Sequence, residues 1–287
     1  MNEYSRITTL LVKHARDAFQ SQAVCDAGWR ALNFTAPPDC ARAVADHDAL
    51  LALLTSAGAA LEYLPADPAV SMDSIYVRDA SIVTPRGIVL CHMGKPERVT
   101  EPAAQAAFYR ARKIPILGRI EPPGKIEGGD VVWFDERTVA VGRGYRTNDE
   151  GIEQFQRLLG TDIDVLMVPL PHYRGPSDVF HLMSIISPVD HDLAVVYSPL
   201  MPVVFRDWLI EGGIELVEVP DEEFDTMGAN VLAIAPRHCV MVAGNPVTRQ
   251  RLEAAGAIVD EYDGREISIK GGGGPTCLTR PLTRLIL

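Results

Sequence analysis

The chain has 287 residues, 47% of them hydrophobic and 23% charged, the balance of a soluble globular protein with room for a sizeable core. A net charge of −11 leaves no basic stripe to meet phosphates, which argues against a nucleic-acid or anionic-membrane binder and leaves a small cationic substrate open. The five cysteines are odd in number and form no CxxC pair, so reduced thiols in a cytoplasm are expected rather than a disulfide framework or a zinc knuckle.

Along the chain, MNEYSRITTLLVKHARDAF carries charges on both sides of a short apolar run and has no small-residue cleavage pattern, unlike a signal peptide. LTSAGAALEYL (Leu54 to Leu64) then reads as a helix end, a glycine suited to the left-handed position after it, and a strand. SIVTPRGIVLCHM reads as two strands around a turn, and AAQAAFYRARKIPILGRI as a helix and a strand punctuated by proline instead of glycine. DVVWFDERTVAVG repeats the strand pair. Thr147 and Glu150 form a capping-box pattern before the next helix, and Gly160 closes that helix ahead of IDVLMVPL. LMSIISPVDHDLAVVY and LIEGGIELVEV give a further strand pair, helix end and strand; the longest apolar stretch, LAVVYSPLMPVVF, is too short to span a bilayer. NVLAIAPRHCVMVAG, an Asn245-Pro246 helix start and LEAAGAIVDEY follow the same plan. GGGGPTC and CLTRPLTRLIL end the chain.

The unit is strand, turn, strand, helix, strand, with a period of about fifty residues. Five units fill residues 1–287 as one domain, the first unit being split between the two ends of the chain. Such units suit an α/β fold closed as a five-bladed propeller of pseudo-fivefold strand-strand-helix-strand repeats; paired strands before every helix fit poorly with a purely parallel, doubly wound sheet.

At the first strand of each unit, one phase of the repeat holds Asp79, the segment Glu127 to Asp130, His181, Asn230 and Cys277. Equivalent positions converge in a ring, so carboxylates, an imidazole and a thiol would meet at one mouth, the content of a nucleophilic active site. Cys25, Cys40, Cys91 and Cys239 read as small buried hydrophobes and Asn230 as structural. His172, Asp178 and His181 have no regular ligand spacing, so neither a metal nor any other cofactor is expected.

IEGGD (126 to 130), RTN (146 to 148), FHLMS (180 to 184) and GGGGPTC resemble the guanidino-group-modifying enzymes, with dimethylarginine dimethylaminohydrolase the closest of them, from about Asp73 to Cys277. That resemblance implies a five-bladed α/β propeller, Cys277 as nucleophile, His181 as general acid/base and Glu127 as the carboxylate orienting it. It further implies that Asp79, with Asp73 nearby, binds the guanidinium and that Arg98 and Arg146 hold the substrate's α-carboxylate. A lid would lie within HARDAFQSQAVCDAGWRALNF.

The implied chemistry is hydrolysis of a guanidino C–N bond through a covalent thiouronium. A thiol with an ordinary pKa of about 8.5 is only a few per cent ionised at pH 7, so a cationic neighbour, substrate or imidazolium, must favour the thiolate. The four glycines before Cys277 would let backbone close on a planar substrate.

The sequence departs from the family at two places. Arg78, not glutamate, precedes Asp79, as in the RD pattern of arginine deiminases. Met183 stands where deiminases and amidinotransferases carry an aspartate, which suits an N-substituted head group. N-methylated arginine, giving citrulline and a methylamine, is therefore the expected substrate; arginine deiminase or dihydrolase activity and citrulline (ureido) hydrolysis are the alternatives. A non-catalytic binding module, as in a ribosome-binding initiation factor of the same fold, is the remote one. The partner expected is a small cationic guanidino compound, with no nucleic acid and no membrane, and a homodimer is left open.

Overall fold

A computed structural model describes residues 1–285 of the chain. Its strands form five three-stranded sheets. The first in chain order takes Arg280–Leu285, Arg6–Val12 and Ala60–Tyr63, so both ends of the chain share one sheet, as the split first unit requires. The others are Ser81–Thr84, Gly87–Leu90 and Ile116–Arg119; Val131–Trp133, Thr138–Arg143 and Asp164–Pro169; Ile186–Asp190, Leu193–Val196 and Glu215–Glu218; and Leu232–Ala235, His238–Val242 and Ile258–Tyr262. In all five the first strand runs antiparallel to the middle one and the third runs parallel to it.

Chemistry varies across each sheet with burial. The first strands SIVT, VVW and LAIA and the middle strand LAVV are buried at every residue, so both faces must be apolar and no alternation is possible. Third strands such as ELVE and IVDEY are partly open and carry charges. Between the middle and third strands lie helices Cys40–Ser56, Glu101–Ala111, Asp149–Leu159, Val203–Glu211 and Pro246–Ala254, each making the crossover that a parallel pair needs. Four of these five connections close on a glycine with positive φ, for example Gly58 at 92° and Gly256 at 84°. At the connection that lacks a glycine, Lys113 takes φ 57° itself.

One helix start differs from its expectation. Asn148, not Thr147, caps Asp149–Leu159, its Oδ1 accepting from Gly151 N at 3.0 Å. Thr147 is used elsewhere: its hydroxyl donates to Asp130 Oδ2 at 2.6 Å and accepts from Glu127 N at 3.2 Å. Among the described residues no helix is long and apolar enough to cross a membrane.

Candidate active site

The in-phase residues lie just ahead of the first strands rather than within them. Asp79 is two residues before Ser81–Thr84, and Glu127 precedes the short 3₁₀ turn Gly128–Asp130 that leads into Val131. His181 precedes the turn Leu182–Ser184, and Asn230 and Cys277 sit in the approaches to Leu232–Ala235 and Arg280–Leu285. At this point the chain has not yet entered its ladder, so side chains and backbone amides are free for other partners.

The structure brings together Asp79, Glu127 and His181: a carboxylate oxygen from each acid and a ring nitrogen of the histidine lie within 4.8 Å of one another. Glu127 Oε2 meets His181 Nε2 at 2.7 Å, while its Oε1 accepts from the backbone amides of Gly94 and Lys95 at 2.9 and 3.0 Å. Its second oxygen also takes Arg146 Nη1 at 3.1 Å. Glu127 is completely buried, and burial alone would raise its pKa; the bond to His181 and the charges of Arg146 and His181 outweigh that and hold it far below the carboxylate range.

His181 Nδ1, the other ring nitrogen, stands 3.9 Å from Asp79 Oδ1. Burial works against its protonation, but Asp79, Asp130 and Glu127 together raise its pKa to about 9. Asp130 holds the histidine's turn through Oδ1, which accepts from Leu182 N at 2.9 Å, and its own carboxyl is pushed up to about 6 by burial. Gly129 is what permits this packing: a Cβ there would stand 2.5 Å from His181 Nδ1 and 2.8 Å from Asp79 Oδ1. The double glycine of IEGGD is thus a requirement for close approach.

Cys277 is buried, at 9% exposure. Asn230 Nδ2 donates to its sulfur at 3.4 Å, and Asn230 Oδ1 accepts from the amide and hydroxyl of Thr276 at 3.0 and 2.8 Å, fixing the preceding peptide. Burial raises the thiol pKa, the charge of Asp79 adds to that, and the Thr276 and Asn230 hydrogen bonds oppose it. The resting pair is therefore thiol and imidazolium.

Three of the four glycines close on their own chain, whereas Gly272 has open space and, with Gly271, lines the cavity beside Cys277. A Cβ on Gly271 would fall 1.7 Å from Tyr76 Oη, one on Gly273 2.5 Å from Tyr76 Cε1, and one on Gly274 2.5 Å from Asn230 Oδ1. Tyr76, which donates to Ile267 O at 2.7 Å, seats the loop that presents Cys277.

Cys277 and His181 line a cavity of about 320 Å³, with Met183, Phe180, Arg174 and Lys270. Asp73, Asp79, Glu127, Arg98 and Arg146 do not line it; they form a buried charged cluster adjoining the histidine. There Arg98 donates to Asp79 Oδ2 at 2.5 Å, to both oxygens of Glu101 and to Tyr76 O. Arg146 Nη2 donates to Asp178 O at 3.2 Å. Asp73 holds Lys95 Nζ at 2.6 Å, and the same ammonium donates to Leu32 O at 2.8 Å. Lys95, Arg174 and Lys270 escaped sequence reasoning, since lysines and arginines in loops carry no pattern that separates a buried partner from a solvated surface charge. Arg78 points away from the cavity, its Nη1 3.2 Å from Glu3 Oε2 and its Nε on Thr276 O at 3.0 Å.

The site thus joins a buried thiol, an imidazole held by one carboxylate and further carboxylates beside it. The family model described as "Arginine deiminase" matches residues 71–203 and 201–284. The chain belongs to the arginine deiminase family, a family of hydrolases of amidine C–N bonds. It is 28% identical over 251 residues to the dimethylarginine dimethylaminohydrolase of Pseudomonas aeruginosa, covering 84% of this chain and 89% of that one. It is 28% identical over 249 residues to the arginine deiminase of Rhodococcus opacus, covering 73% of this chain and 60% of the deiminase. A solved structure of the Pseudomonas aeruginosa enzyme, a cysteine-to-serine mutant complexed with citrulline, matches with TM-score 0.77 at 23% identity over 96% of this chain and 98% of that one.

Proposed function

We propose that the chain is a single-domain five-bladed α/β propeller that hydrolyses a guanidino C–N bond through a covalent intermediate on Cys277. The observation that carries this reading is Asp79 Oδ1. It is buried beside His181 Nδ1, and among the described residues it has no hydrogen-bond partner, whereas Asp79 Oδ2 is taken by Arg98. An unpaired buried carboxylate oxygen is costly, and a guanidinium N–H satisfies it once the cavity opens to Asp79 on binding.

In this reading the substrate's cation lowers the pKa of the Cys277 thiol, whose proton is released, and the thiolate attacks the central guanidinium carbon. The imidazolium of His181, held by Glu127, gives its Nδ1 proton to the departing amine as the C–N bond breaks. The neutral imidazole then takes a proton from water as that water adds to the thiouronium, and expulsion of Cys277 leaves the ureido product.

Asp73, held by Lys95, completes the anionic wall of the guanidinium site. Arg98 and Arg146 are assigned to the substrate's α-carboxylate, each exchanging a backbone carbonyl, of Tyr76 and of Asp178, for it. The segment His14–Phe34 is assigned as the lid, and Asn33 reaches the cavity. Met183, buried and lining the cavity, supports an N-methylated head group. Unmodified arginine is the second reading, favoured by the family model.

Incubation with arginine, monomethylarginine, dimethylarginine and citrulline, with ureido product measured and ammonia separated from methylamines, tests both. Citrulline with a methylamine, absent in Cys277→Ala, is expected. Ammonia from arginine as the preferred reaction would overturn the head-group assignment, and product formation by Cys277→Ala would overturn the mechanism.

A further inference from the structure

A second chamber, of about 440 Å³, shares no lining residue with the cavity of Cys277 and His181, and Arg78, Arg280, Arg284, Trp133 and Glu3 line it. Three guanidinium groups there are almost wholly withdrawn from water: Arg78 at 1% exposure, Arg280 at 4% and the Arg284 side chain at 7%. Glu3 is the one carboxylate buried among them, 3.2 Å from Arg78 Nη1 and 3.9 Å from Arg284 Nη2. Glu136 also lines the chamber but is exposed at its rim. The interior therefore holds two positive charges in excess.

The donors are not used up by the protein. Arg280 Nη2 donates to Arg78 O, and Arg284 Nη1 to Ala233 O at 3.0 Å and to Ser5 O. Yet Arg78 Nη2, Arg280 Nε, Arg284 Nη2 and Trp133 Nε1 are buried with no acceptor among the described residues. Four N–H groups of residues that line one chamber thus have no protein acceptor. Burial depresses the pKa of both Arg280 and Arg284 to about 10, and the charge of Arg78 adds to that while Glu3 opposes it. Planar guanidinium forks are matched by an oxyanion, which takes several N–H donors at once, and a charge of −2 neutralises the excess. Glu3 disfavours an anion, but both arginines it faces keep a donor to spare.

We propose that this chamber is a binding site for a small dianionic oxyanion of the phosphate class, separate from the catalytic cavity and joined to it through Arg78. The connection is covalent to Asp79 and hydrogen-bonded to the nucleophile's loop, since Arg78 N donates to Cys277 O at 3.2 Å and its Nε to Thr276 O. The inference is independent of the substrate assignment.

Calorimetric titration of the full chain with inorganic phosphate, and separately with glycerol 3-phosphate, at constant ionic strength in chloride tests it. One saturable site per chain is expected, with a rise in Tm that follows ligand concentration. Arg284→Gln, and replacement of Trp133 by 3-benzothienylalanine or by Phe, the first of which keeps the bicyclic shape and removes only the N–H, are each expected to weaken binding by about tenfold. Arg174→Gln, at the mouth of the catalytic cavity, leaves it unchanged. Tighter binding of the ester assigns the site to an organic phosphate, and equal or weaker binding to the free ion. No saturable binding, or binding that Arg174→Gln removes and Trp133→Phe spares, would overturn the proposal. Trp133→Phe keeps the test decisive where an arginine variant fails to fold.

Discussion

His181 carries the charge balance of the catalytic cluster. Its pKa of about 9 results from three surrounding carboxylates winning against burial, so the free protein holds the imidazolium through neutral pH and loses it as pH rises through about 9. If that proton is the one delivered to the leaving amine, kcat/KM falls along an alkaline limb near pH 9. Glu127→Gln removes one raising carboxylate and its bond to Nε2, so the limb moves down toward the ordinary histidine value of 6.5, with activity lowered by about 10²–10⁴-fold. A pH profile whose limb does not move would show that another group titrates there. The sign for stability is the same: the raised pKa contributes stability fully present below pH 6.5 and lost as pH rises through about 9. Asn230 belongs to the same scale. Asn230→Ala removes a donor to the Cys277 sulfur, so the thiol pKa rises, alkylation by iodoacetamide at neutral pH slows, and kcat/KM falls by about tenfold.

At the scale of elements, the short turns ahead of the first strands decide where chemistry sits. Gly129 separates the two possible roles of the IEGGD glycines. A methyl group there meets the imidazole at 2.5 Å, so Gly129→Ala is expected to cost about 1–3 kcal/mol of stability by overpacking and to lower kcat far more than that loss accounts for. Comparing Tm with kcat for this variant checks the split. These turns were partly legible in the sequence: Asp79, Glu127, His181 and Cys277 each stand at the same phase of a repeat, because the repeat fixes where the chain enters its ladder. Their partners were not legible. Thr147 looked like a helix cap until Asn148 took that position, and of the four glycines before Cys277, read as room for a ligand, Gly273 and Gly274 are filled by Tyr76 and Asn230 while Gly271 and Gly272 line the cavity. In both cases local sequence offered two partners for one group, and only tertiary placement chose between them.

At the scale of the molecule, the five-unit plan was readable because each unit repeats apolar strand pairs and a positive-φ turn, and the splitting of the first unit followed from counting. The charged layers were not readable. Arg78 stands in the sequence as part of an RD pattern; in the structure it turns toward Glu3 and a second chamber, and nothing in RD reveals which way the side chain points. One sheet takes strands from both chain ends, so on the proposed single-domain reading calorimetric unfolding is expected to be a single transition. Leu11, buried in the central strand of that sheet, tests that reading: Leu11→Ala is expected to destabilise by about 2–5 kcal/mol while the transition stays single. Two resolved transitions would instead divide the chain into domains.

The central claim is that bond breaking passes through a covalent bond to Cys277. Rapid acid quench of the protein with N-methylated arginine, followed by intact-mass and peptide mass spectrometry, measures it directly. An adduct of thiouronium mass on the peptide containing Cys277, formed and lost at rates compatible with turnover, is the predicted result. Turnover with no adduct at that sulfur, or an adduct on another cysteine, would contradict it.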